Sequence, residues 1–249
     1  LKLGARSLHV WRVELDAPGC DLPERHLHGG LGRQSAQALS VLSNEELERA
    51  RAIVRSEARR RWVAARCFLR VLLGGYLEVD PRSLRFARGE RGKPELLGEM
   101  GTRLRFNLAR SGPVGVCALT RMCAVGVDVQ LAPGPARMEA AARRAFGAPS
   151  PERHARRALG AERGGERLRG MPSERREREL LRAWVRLEAE RKRLGVGLGA
   201  SRLQISGPSP WMAEAQLAGG AACAVALALP PAELLWKRWE HFSDCWIYS

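Results

Sequence analysis

Two long stretches of helical periodicity, each followed by strand-length pieces, constrain the fold most. In the first, Leu47, Ala50, Val54, Ala58, Trp62, Ala65, Leu69 and Leu72 recur at three- and four-residue spacing, the pattern of one buried helix face. Ser43 precedes it with Glu46 three residues on, a capping-box pair. This helix is expected to stop at Gly74-Gly75, and its other face carries Arg49, Arg55, Arg59, Arg60, Arg66 and Arg70. The second predicted helix covers residues 174–194 and closes at Gly195. Short strand-like pieces are expected at 84–87, 104–106, 114–120 and 124–130. Residues 8–15 alternate apolar and polar side chains and read as an edge strand. Residues 16–34 read as a loop, 137–146 as a basic amphipathic helix, and 148–173 as an exposed loop or mobile helix. The stretch up to Leu229 reads as a β-hairpin, and the tail with Trp236, Trp239 and Trp246 is expected to fold back onto the body. Each half is thus a helix followed by strands, and the halves meet near Gly126. The expected class is α+β, built as two similar α/β halves, residues 1–125 and 126–249, related by a pseudo-twofold axis.

Composition narrows the function less than the motifs do. The 249 residues, 45% of them hydrophobic, are enough for a packed globular core. No apolar run reaches the roughly 18 residues of a bilayer span. The N-terminal residues lack a charged start followed by an apolar segment, so no secretory leader is expected and the location reads as cytoplasmic. Cys20, Cys67, Cys117, Cys123, Cys223 and Cys245 include no C-x-x-C pair and read as reduced thiols. His26 and His28 near Cys20 match no zinc spacing. The net charge of +15 comes almost entirely from arginine, with lysine only at Lys2, Lys93, Lys192 and Lys237. Such a surface attracts nucleic acid, acidic lipid, phosphorylated ligands or acidic proteins, and charge alone does not choose among them.

Three stretches carry chemistry. Gly92-Lys93-Pro94 presents a lysine from a rigid turn, or is a plain turn. In 125–130, Val125, Val127 and Val129 face one side and Asp128 and Gln130 the other, with Gly126 leaving room beside them. Two oxygen donors two residues apart suit a hard cation such as Mg²⁺; the plain reading is a polar strand face. In 180–198, Leu181, Trp184, Glu188 and Lys192 share one helix face, so Glu188 borders an apolar stripe. A half-buried carboxylate there holds a cation or acts as a base; the plain reading is an i,i+4 pair with Lys192.

In this order, the stretches GKP (92–94), FNLARS (106–111), GVDVQ (126–130) and WVRLEAERKRLGVGL (184–198) resemble the Sfp-type 4'-phosphopantetheinyl transferases. That family shows G-K-P, F-N-x-S-H-S, G-I/V-D-I/V-E and W-x-x-K-E-A-x-x-K-x-x-G-x-G-L. The resemblance runs over residues 42–198. It implies transfer of the 4'-phosphopantetheine arm of coenzyme A to a serine of an apo acyl- or peptidyl-carrier protein, with coenzyme A in a cleft between the halves. It implies Mg²⁺ on Asp128, Gln130 and Glu188; coenzyme A on Lys93, Ala109, Arg110, Arg49, Arg66, Asp128 and Lys192; and catalysis by Glu188, Lys192 and Asp128. A monomer acting on acidic carriers, with no membrane and no nucleic-acid partner, is the expected state. Ala109 stands where the family has Ser, Arg110 where it has His, Gln130 where it has Glu and Leu187 where it has Lys. A guanidinium suits phosphate; Gln130 keeps an oxygen but loses a charge. A member that binds coenzyme A or a carrier with little turnover is the alternative within the family. A basic nucleic-acid-binding protein is the alternative outside it, disfavoured because the arginines come without a nucleic-acid motif or interleaved surface aromatics.

Overall fold

The computed structural model describes residues 1–16, 39–88, 93–131, 172–195 and 209–239. In chain order it contains β1 (Ser7–Glu14), α1 (Asn44–Ala52), α2 (Ser56–Leu77), β2 (Phe86–Arg88), β3 (Pro94–Leu96), α3 (Glu99–Arg103), β4 (Arg105–Ser111) and β5 (Val114–Thr120). There follow β6 (Val125–Gln130), α4 (Ser173–Leu194), β7 (Trp211–Gln216), β8 (Ala222–Leu227) and β9 (Glu233–Arg238). One sheet has the order β4-β5-β1-β9, a second β6-β8-β7, and β2 and β3 form a small separate ladder. The fold is mixed α/β. The two main sheets repeat one connectivity: a strand, a long helix, then two strands, the last of which inserts between the other two. In the first set this gives β1, α2, β4 and β5 with β5 central, and in the second β6, α4, β7 and β8 with β8 central. All of these pairings are antiparallel.

Period-two alternation along the strands sets the layering. Leu8, Val10, Val114, Val116 and Ala118 of the first sheet meet Val125, Val127, Val129, Val225 and Leu227 of the second in one apolar cluster. The opposite face of the first sheet, with Trp11, Val13, Cys117 and Leu119, buries Val63, Phe68, Leu69 and Leu72 of α2. The opposite face of the second, with Ala222, Ala224 and Ala226, receives Leu181, Val185 and Ala189 of α4. The order of layers is therefore α2, first sheet, second sheet, α4.

Several expectations need correction. The capping box is present, with Ser43 Oγ accepting from Glu46 N and Glu46 Oε2 from Ser43 N. The single helix expected after it is two. Ile53 is extended and ends α1, because consecutive β-branched residues lose side-chain freedom in a helix. Arg59 takes up the freed carbonyls of Ile53 and Val54. Val54, expected in the buried stripe, is 90% exposed. Gly74-Gly75 do not stop α2, which runs on to Leu77 and closes at Glu78 with φ 58°. Gly74 instead lets the chain return across the helix, since a Cβ there would lie 2.9 Å from Val79 O.

Strand β1 is not an edge. It lies between β5 and β9, antiparallel to the first and parallel to the second. His9, read as part of a polar face, is buried beside Tyr76, whose Oη also accepts from Trp11 Nε1 at 2.9 Å. The expected hairpin is β7–β8. The tail does return to the body, with Trp239 edge-on to Trp11 and Phe68. Trp246, Gly92, the helix at 137–146, nearly all of 148–173 and the loop beyond Asp16 lie outside the described residues. Among the described residues, no helix is long and apolar enough to cross a membrane.

Candidate functional site

Strand β6 turns Val125, Val127 and Val129 into the inter-sheet core, so Gly126, Asp128 and Gln130 face α4. Gly126 is required there: an added Cβ would fall 1.9 Å from Ala189 O and 2.4 Å from Arg193 N. The helix backbone thus lies directly on the strand, and this close approach brings Glu188 and Lys192, one turn apart, to Asp128. Lys192 Nζ donates to Asp128 Oδ1 at 2.6 Å, and Gln130 Nε2 donates to Asp128 Oδ2 at 3.3 Å. Gln130 Oε1 accepts from Ser111 Oγ at 3.4 Å, and Ser111 Oγ accepts from Leu131 N at 3.0 Å. Asn107 Oδ1 accepts from Val127 N at 2.8 Å. Asn107 and Ser111 therefore stitch edge strand β4 to edge strand β6.

Both carboxylates are strained electrostatically. Asp128 is buried, and burial pushes its carboxyl above the ordinary range, against the Lys192 ammonium and the donors around it. Glu188 is also buried and is pushed up to about 6, first by desolvation and second by the charge of Asp128, with Lys192 and Arg191 opposing. Among the described residues no donor reaches Glu188 Oε1. Buried carboxylate oxygens without partners are costly, and a dication would relieve both groups. Two carboxylates are donors of the type Mg²⁺ uses, its remaining positions going to water and phosphate; Gln130 turns its amide nitrogen to Asp128 and its oxygen to Ser111, so its oxygen joins such a shell only through water or with the amide turned over. The residues present fit that ion. Among the described residues no group of three His, Cys, Asp or Glu side chains is gathered, so a metal here rests on the two carboxylates.

A second constellation is cationic. Arg49 at the end of α1, Arg66 on α2 and Arg110 on β4 act on one another. Desolvation first, then the charges of Arg66 and Arg49, hold the Arg110 guanidinium below its ordinary value. Arg66 is lowered likewise by desolvation, with Glu46 opposing and Arg70 and Arg49 adding. Arg49 and Arg66 stand 5.8 and 5.9 Å from the Trp62 ring, and Arg66 and Arg70 stand 4.8 and 5.2 Å from Phe86, cation–π distances. Glu46 accepts from Arg66 Nε at 2.8 Å and from Arg70 Nε at 2.7 Å. Among the described residues Glu46 is the one carboxylate hydrogen-bonded to this group, and planar forked donors are of the type that suits phosphate.

The structure thus gathers Asp128, Gln130, Glu188 and Lys192 in one place and Arg49, Arg66 and Arg110 in another, on either side of the β4–β6 seam. Lys93 joins neither. Its Nζ donates to Val125 O and Lys192 O, each at 3.2 Å, and burial pushes the amine below its ordinary value. It fastens the end of α4 to the start of β6. The Ala109 methyl is buried in the inter-sheet core, leaving only its backbone, which is in the ladder opposite Val116. The sequence reading gave no role to Glu46 beyond its cap, and none to Asn107 or Ser111. Alternation of 107, 109 and 111 on one face of β4 was the signal available for the last two.

A buried acidic pair whose donors suit Mg²⁺ and a cluster of arginines together match one class: enzymes that handle a phosphorylated substrate. The comparisons with known proteins specify the class. A family described as "4'-phosphopantetheinyl transferase, N-terminal" matches residues 31–121. The chain is 32% identical over 200 residues to the 4'-phosphopantetheinyl transferase HetI of Nostoc sp. (strain PCC 7120), covering 80% of this chain and 73% of that protein. It is 30% identical over 167 residues to slr0495 of Synechocystis sp., named as a candidate 4'-phosphopantetheinyl transferase, covering 67% and 62% of the two chains. The chain belongs to the 4'-phosphopantetheinyl transferase family, and it is an enzyme of that activity.

Proposed function

We propose that this enzyme moves the 4'-phosphopantetheine arm of coenzyme A onto the serine hydroxyl of an apo acyl- or peptidyl-carrier protein, releasing 3',5'-ADP. The observation that carries the residue roles is the buried Glu188 carboxylate oxygen, without a donor among the described residues, beside the buried Asp128. Asp128 and Glu188, with Gln130 alongside, would hold Mg²⁺. Such an ion, when bound, supplies positive charge to the pyrophosphate and the departing 3',5'-ADP. Glu188 takes the serine proton; a carboxylate pushed up to about 6 is ionised near neutrality and more basic than an ordinary one. Lys192 stabilises charge on the phosphates. Arg49, Arg66 and Arg110 hold the 3'-phosphate and pyrophosphate. Lys93 and Ala109, given to coenzyme A by the resemblance, act as supports: Lys93 fixes the last turn of α4, and Ala109 fills the core behind Arg110.

Residues 1–125 and 126–249 are read as two halves related by a pseudo-twofold axis, with β9 of the second crossing to the first sheet and the substrate in the cleft between them. The repeated strand–helix–strand–strand connectivity supports this. The net charge of +15 speeds encounter with an acidic carrier, from polyketide, nonribosomal-peptide or fatty-acid synthesis, for a monomer working in the cytoplasm. The experiment is incubation with coenzyme A and an apo carrier, with and without Mg²⁺, read as a mass gain on the carrier. Asp128→Ala should abolish the gain while the thermal melt stays cooperative. A parental rate for Asp128→Ala in Mg²⁺ overturns the assignment.

A further inference from the structure

We infer that Lys192 is the resident counter-ion of the metal position: its ammonium occupies Asp128 until a dication displaces it. The inference rests on the metal reading above and adds a coupling to it. Lys192 Nζ lies 2.6 Å from Asp128 Oδ1, while Gln130 Nε2 takes Oδ2. Each oxygen of this buried carboxylate is therefore engaged by a protein donor, and one of the donors carries full charge. A divalent ion at Asp128 competes with an ammonium at that distance, because two cations held this close repel strongly where water is scarce. The Lys192 side chain remains 30% exposed whereas that of Asp128 is 4% exposed, so the lysine has room to leave and the aspartate does not. Its release delivers the ammonium to the open side of the site, where a substrate phosphate can take it up. Metal loading and phosphate capture are then one event: the displaced charge is moved, not lost.

The composition supplies a direct test. Lysine occurs only at Lys2, Lys93, Lys192 and Lys237, so an amine-directed acylating reagent can be followed residue by residue by mass spectrometry. An ammonium held on a carboxylate is a poor nucleophile. In the full chain without coenzyme A, pulse acylation of Lys192 should rise severalfold when Mn²⁺ is added, with Lys93 unchanged on its two backbone carbonyls as internal control. Bound Mn²⁺ is measured independently by its paramagnetic signal. Asp128→Asn should label Lys192 at the high rate with or without metal. Lys192→Met should bind Mn²⁺ about fivefold more tightly, the upper end of what an exposed ion pair is worth. Mn²⁺ that binds while Lys192 labelling stays constant overturns this inference and leaves the metal reading standing. Absence of any Mn²⁺ binding overturns both. A Lys192 still protected in Asp128→Asn also overturns it, since the lysine would then be held by something other than Asp128.

Discussion

Glu188→Gln should make the protein a worse enzyme and a more stable one. The ionised side chain is buried, and burial together with Asp128 raises it from 4.5 to about 6. That interval corresponds to ~2 kcal/mol of destabilisation of the ionised form relative to the unfolded chain. The sign follows from which state holds the proton more tightly. The folded state does, so stability is lost as pH rises through the ordinary value towards 6, and the full cost is present at pH 8. Glutamine has the same shape and no charge, so in chelator at pH 8 the variant should gain ~2 kcal/mol, or ~4–8 °C in melting temperature for a chain of this size. By pH 5 the parent is largely protonated at Glu188 and the gap should shrink to under half. Addition of Mg²⁺ should reverse the ranking, because only the parent has the second carboxylate to bind it. Transfer by the variant should fall at least ~10²-fold, the low end for a general base. Urea melts at pH 8 and pH 5, with and without Mg²⁺, decide the matter. A variant less stable than the parent at pH 8, or a gap that does not change with pH, refutes the account of Glu188 as a desolvated carboxylate.

Arg110→Ala should weaken coenzyme A about tenfold and dephospho-coenzyme A much less; equal losses by calorimetry would remove Arg110 from the 3'-phosphate. Gly126→Ala puts a Cβ 1.9 Å from Ala189 O, so α4 must lift; a urea titration should show a loss of at least ~1–3 kcal/mol and transfer should drop with it. A Gly126→Ala protein of parental stability would mean that the helix does not lie on the strand. Lys93→Met strips the charged donor from Val125 O and Lys192 O and should cost ~1–3 kcal/mol with little change in the KM for coenzyme A. A KM raised tenfold at unchanged stability would make Lys93 a substrate ligand instead of a support.

The local parts of this structure were legible because local chemistry decides them. The Ser43–Glu46 box sets a helix start with its own side chains, and the alternation around Asp128 sets a strand with one acidic face. The long helix from Ser173 is carried by its own 3.6-residue stripe. What was not legible depends on partners distant in the chain. Residues 8–15 read as an edge strand, yet β1 has a neighbour on both sides, the second of which begins at Glu233. Gly74-Gly75 read as a stop because glycine frees the backbone, but the returning chain at Val79 needs the missing Cβ. Lys93 is picked out by a motif, which does not say which way a side chain turns; here its ammonium reaches carbonyls on two other elements. Glu46 caps α1 through Ser43, three residues away, whereas its bonds to Arg66 and Arg70 join positions 20 and 24 residues apart that only the packing of α1 on α2 brings together.

The parallel pairing of β9 with β1 has a consequence for biogenesis. Strand β1 stays without its second neighbour until Glu233–Arg238 has been made, and Ser7 bonds Glu233 across 226 positions of sequence. During vectorial synthesis one edge of an apolar strand is left open while most of the polypeptide is still being assembled. Such long-range closure is slow and exposes surface that other chains can join. Recombinant production should therefore improve when translation is slowed by cooling.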